Sequence, residues 1–111
     1  MTPKAGDFKT PQPAGECRSL EEIRAGMDAI DREIVRLIAQ RVEYVRAAAK
    51  FKTSAENVAA PERVQAVLNT RREWADAAGL DGEVIERLYR DLVAYCVSEE
   101  HKRWHEMHPA K

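Results

Sequence analysis

Ile23, Met27, Ile30, Ile34, Leu37, Arg41, Tyr44, Ala48 and Phe51 follow one another at alternating intervals of four and three. Apolar positions at that rhythm line one face of an α-helix, and a seam kept for so many turns argues for one continuous helix over about residues 20–54. Ser19-Leu20-Glu21-Glu22 supplies a capping box at its start. No proline follows until Pro61. Gly26 costs roughly 1 kcal/mol against alanine, too little to break the pattern. A break near Arg41 with the chain folded back is the rival reading, and the absence of Gly or Pro there speaks against it.

Downstream the pattern weakens and restarts. Residues 53–60 read as a polar, mobile connection. Pro61 suits the first turn of a second helix carrying Val64, Val67, Leu68, Arg71 and Trp74 or Ala75, ending at Ala78, with Gly79 just past its end. Asp81 can cap a third helix, with Glu83 in its first turn. One seam of that helix holds Ile85, Leu88, Leu92 and Tyr95; its neighbour holds Tyr89, Val93, Val97, Glu100 and Trp104. The expectation is an all-α fold of three helices, long, short and medium.

A helix over residues 20–54 would be roughly 50 Å long, whereas a compact 100-residue domain has a radius of gyration near 13 Å. Such a helix is too long to be covered by its own chain, so a homodimer is expected. Residues 1–15 hold three of the five prolines and two of the five glycines without apolar rhythm, and read as a flexible arm ahead of one helical domain over 16–108.

Composition narrows the chemistry. Hydrophobic residues make up 44% and charged residues 33%, which suits a globular protein, and the net charge of −1 gives no field for nucleic acid or an anionic membrane. Two cysteines, Cys17 and Cys96, form neither a CxxC pair nor a disulfide framework. With no signal-peptide or transmembrane stretch, the expected location is the cytoplasm. There is no glycine-rich phosphate loop, nucleophile elbow or zinc spacing, so no cofactor or metal is expected. His101, His105 and His108 leave a metal-binding helix open as a minor alternative.

Two residues break the seams. Arg41 sits where an apolar side chain is due, between Leu37 and Tyr44. Lys52 lies eleven residues on, which in a continuous helix is three turns plus roughly 20°, or about 16 Å along the same face. Val45 and Ala48 lie between them, leaving a small apolar trough that suits a compact ligand with more than one negative group. On spacing alone a solvated charged face remains equally open. Glu100 interrupts the stripe of Val93, Val97 and Trp104. It reads as a buried partner for Arg41, as the edge of a solvated face with Glu99, or as a carboxyl held neutral to donate a hydrogen bond.

The run "IRAGMDAIDREIVRLIAQRVEYV" resembles the first helix of the all-helical chorismate mutases. The blocks "FKTS", "APERVQAVL", "WADAAGLD" and the tryptophan ending "EEHKRW" are similar to the isochorismate-pyruvate lyases of bacterial salicylate synthesis. The likeness spans roughly residues 16–105. It implies an intertwined homodimer with two sites, each completed by the other chain's Arg24. It implies carboxylate binding by Arg41, contacts from Lys52 to the ether oxygen and a carboxylate, a role for Arg63 near the start of the second helix, and an apolar wall at Val97. The implied reaction is a cofactor-free pericyclic elimination of pyruvate from isochorismate giving salicylate, with secondary conversion of chorismate to prephenate. A dedicated chorismate mutase and a non-catalytic helical dimerisation module are the alternatives.

Two departures bear on this. Glu100 stands where most bacterial relatives carry a hydrogen-bond-donating glutamine, and an ionised glutamate cannot donate. Ala60 and Val64 stand where the resemblance implies an acid-bearing start of the second helix in typical mutases, so no acid is expected there to contact a ring hydroxyl.

Overall fold

The computed structural model describes residues 8–109, and among them every regular element is helical. A 3₁₀ turn at Ala14–Glu16 precedes α1 (Leu20–Ala48), which runs into a second 3₁₀ turn at Ala49–Phe51. Then come α2 (Ala55–Ala59), α3 (Pro61–Ala77) and α4 (Gly82–Met107). Of the arm expected over 1–15, the first seven residues lie outside the described residues. No helix among the described residues is long and apolar enough to cross a membrane.

The chain divides into two compact units, residues 1–41 and 42–111. The described part of the first unit is the N-terminal segment and most of α1. At the start of α1, the Ser19 hydroxyl accepts from the Glu22 amide at 3.1 Å. The Glu22 carboxylate reaches the Arg18 amide at 3.2 Å, one residue earlier than in a closed capping box. The helix passes through Arg41 unbroken, as expected. From Leu20 to Arg41 no residue is fully buried, and Ile30, Ile34 and Leu37 are among the exposed. Glu33 and Arg36 pair along the helix, and the hydrogen bond from Arg36 holds the Glu33 carboxyl below its ordinary range despite desolvation.

The second unit holds the core. Val42, Ala49, Val58, Val67, Leu68, Ala75, Val93 and Cys96 are buried there, drawn from every element of the unit. On α3 it is Ala75 that packs inward; Trp74 is exposed, its ring 4.4 Å from the Arg71 guanidinium. On α4 Val93 and Glu100 of one seam are buried and Tyr89, Val97 and Trp104 half-buried, whereas Leu88 (60% exposed) and Tyr95 on the other seam face outward.

The turn between α3 and α4 follows the expected chemistry. Gly79 has φ +81°, its amide donates to Asp76 O at 3.2 Å, and the Leu80 amide donates to Ala75 O at 2.8 Å. That is the paired closure of a helix end by a left-handed residue. Asp81 Oδ1 then accepts from the Glu83 amide at 3.0 Å, capping α4.

Two expectations about the first connection need correcting. The first helix does not remain α-helical to residue 54: α-helix ends at Ala48, the Lys52 amide donates to Ala49 O at 3.2 Å, and Lys52 itself is extended (φ −93°, ψ 131°). A 3₁₀ turn advances by a larger angle per residue than an α-helix. The shared face computed for Arg41 and Lys52 therefore lacks its premise. Nor is 53–60 simply a polar, mobile connection. The Ser54 hydroxyl caps α2 by accepting from the Asn57 amide at 3.4 Å, and Val58, 2% exposed, is part of the core. Ala60 joins α2 to α3 in the left-handed region at φ 39°.

Candidate active site

The second unit brings Lys52 and Glu100 together. Lys52 stands where the 3₁₀ turn ends, and Glu100 lies on the inward face of α4, one turn before Trp104. Lys52 Nζ is 3.4 Å from Glu100 Oε2 and donates to the backbone carbonyl of Asn57 at 3.2 Å. Asn57 is fixed in turn, its amide side chain donating to the Thr53 hydroxyl at 2.9 Å. Trp104 Nε1 donates to the Lys52 carbonyl at 3.0 Å.

Glu100 is 7% exposed, and its Oε2 makes no hydrogen bond despite lying near Lys52. A buried carboxylate oxygen left this way is costly unless something else completes it. The ammonium beside it can donate to a ligand oxygen, while the open position on Oε2 can accept from a ligand donor, or donate if the carboxyl carries a proton. Among the three readings of Glu100, a solvated face shared with Glu99 is overturned, because Glu100 is buried and the two carboxylates meet different partners. Glu99 accepts from Arg46 at 3.0 Å and Tyr95 at 3.3 Å and pairs with Lys102 at 3.4 Å. Burial pushes the Glu99 carboxyl up, but the Arg46 hydrogen bond and the Lys102 charge outweigh it and hold the group below its ordinary range.

Val45, Ala48 and Val97 are half-buried in the same unit, and Arg63 is exposed in the first turn of α3. Arg24 is exposed and Arg41 half-buried on α1, both in the first unit. A separate cleft of about 670 Å³ is lined by residues that include Glu43, Arg46, Lys50, Glu99, Lys102 and Glu106. Its acids and bases largely neutralise one another, so the cleft lacks the unsatisfied group found at Glu100.

Among the described residues no three His, Cys, Asp or Glu side chains gather as metal ligands. The histidines are engaged differently. The His101 and His105 rings stack at 6.2 Å, His108 stacks on Trp104 at 4.2 Å, and His108 Nδ1 lies 3.0 Å from the Trp104 carbonyl.

Trp104 is the residue whose site contact the sequence did not expose. Its place on the apolar stripe was legible, but a bond from its indole to a main-chain carbonyl 52 residues earlier leaves no periodic trace.

The family model for chorismate mutase type II matches residues 23–101, most of the chain. This chain belongs to the chorismate mutase type II family. Among its curated relatives, the isochorismate pyruvate lyase of Pseudomonas aeruginosa is 39% identical over 97 residues, covering 87% of this chain and 93% of that protein. The T-protein of Haemophilus influenzae is 33% identical over 85 residues, 76% of this chain but only 22% of that much longer protein. The match to chorismate mutase type II takes in Arg24, Arg41, Lys52, Arg63, Val97 and Glu100.

Proposed function

We propose that this chain eliminates pyruvate from isochorismate to give salicylate, and converts chorismate to prephenate as a weaker second activity. The observation that carries the proposal is Lys52 paired with Glu100, whose buried Oε2 has no hydrogen bond. The match to a lyase relative over nearly that protein's whole length supports the choice of reaction.

In the elimination the ether C–O bond breaks, a ring hydrogen passes to the enolpyruvyl methylene, and the ring becomes aromatic. Negative charge grows on the ether oxygen as the bond lengthens. No nucleophile is required; holding the flexible dianion in a reactive shape and placing donors at the charging oxygen lower the barrier. Lys52 supplies one donor and a protonated Glu100 a second. Arg41 grips one carboxylate, and the partner subunit's Arg24 the other. Arg63 adds a cation at the mouth, while Val45, Ala48 and Val97 wall the apolar side.

A homodimer belongs to this reading. Ile30, Ile34 and Leu37 on α1 and Leu88 and Tyr95 on α4 are exposed in the single chain, and fully covering each aliphatic side chain is worth about 1.5–3 kcal/mol. The dimerisation-module alternative expects Arg41 and Lys52 on open solvent, whereas both are half-buried.

Purified protein incubated separately with isochorismate and with chorismate, following salicylate and prephenate, tests the proposal. Salicylate is expected as the dominant product. Prephenate alone would favour a dedicated chorismate mutase, and neither product would sink both readings.

A further inference from the structure

The main chain of Lys52 is held at both ends. Its amide donates to Ala49 O within the 3₁₀ turn, and its carbonyl accepts from Trp104 Nε1 at 3.0 Å. In a helix that continued, that carbonyl would receive the amide four residues on. Here the backbone turns extended and the indole takes that place. Glu100 and Trp104, four residues apart on α4, share one face. α4 thus grips a single residue at two points, its carboxylate beside the ammonium and its indole on the carbonyl.

The indole is itself braced. The His108 ring stacks on it at 4.2 Å and the His105 ring meets it edge-on at 5.2 Å. From this geometry we infer that Trp104 is a positioning residue for the reaction: its N–H anchors the Lys52 carbonyl and so sets the point from which the ammonium reaches the ether oxygen. The inference rests on the functional reading above. Without the anchor, Lys52 keeps its charge but loses its fixed origin, and a misplacement of about 1 Å in a reacting group costs on the order of a hundredfold in rate.

Trp104→Phe keeps an aromatic body for the histidine stack and deletes the donor, together with part of the indole's bulk. Its kcat for the elimination is expected to fall about ten- to a hundredfold, with KM changed less than about threefold. Because Trp104 acts through Lys52, the same substitution placed in Lys52→Ala should lower the residual rate by less than about twofold. A full, multiplicative loss in that background would overturn the assignment, as would unchanged kcat in the single variant. A wild-type chain inactive on both substrates would instead overturn the functional reading. A measurement on the unaltered chain needs no turnover. With two tryptophans present, the Trp104 indole proton should exchange with solvent well below the rate of exposed Trp74, and equally fast exchange would remove the anchor from the argument.

Discussion

Glu100 and Lys52 present a question of proton ownership. With the proton absent, the carboxylate is an ion-pair partner of Lys52, 3.4 Å away, and has nothing to give a leaving oxygen. With the proton present, Glu100 donates as a glutamine would. The proposed mechanism needs the donor, so Glu100→Gln should keep kcat within about threefold, whereas Glu100→Ala should lower it about a hundredfold. Measuring kcat for both variants checks this, and an equal loss in the two would count against donation by Glu100. At this scale the sequence was informative wherever a polar residue broke an apolar stripe: that is how Arg41 and Glu100 stood out. It was silent on contacts made by the main chain, so neither the Asn57 carbonyl on Lys52 nor the indole on its carbonyl could be foreseen.

Helix ends show the same division. Where a side chain or a glycine ends a helix locally, the signal lies within a few residues and was readable, as at Ser19, Gly79 and Asp81. Where a tertiary contact ends it, the signal is elsewhere in the chain. The seam from Ile23 runs on to Phe51, past the end of the α-helix at Ala48, and gives no sign that the Lys52 carbonyl goes to the Trp104 indole, so periodicity alone predicts an α-helix that runs too far. Val58 carries no sequence signal, because one apolar residue in a five-residue helix has no period to announce it. The Gly79 turn gives a test on this scale. An alanine forced to φ +81° should cost about 1–2 kcal/mol. For a domain of this size each kcal/mol lowers the melting temperature by about 4–8 °C. Thermal unfolding of Gly79→Ala should show that drop, with the helical circular dichroism of the native state retained. An unchanged midpoint would mean that the turn relaxes without strain.

For the molecule as a whole, the family and the all-helical fold were legible because the long seam and the ordered lyase-type blocks extend over most of the chain. The assembly was legible only as an argument from length, since an apolar face does not name what covers it. Ile34, 47% exposed on α1, offers the check. Ile34→Glu places a charge on the face proposed to meet a second copy, where an unpaired buried charge is strongly disfavoured. Sedimentation should give twice the chain mass for the wild type and the chain mass for the variant. Salicylate formation should fall in step, because the proposed site draws Arg24 from the other copy. A wild type that sediments as a single chain would end the dimer proposal. The exposed stripe of α1 has a consequence for what stability means in this protein. If two copies close over that stripe, folding and association become one equilibrium, and mass action enters the melting temperature. Tightness of fold would then belong to the solution rather than to the chain: the same molecule would unfold earlier in a dilute sample than in a crowded one, with no change in a single contact inside it.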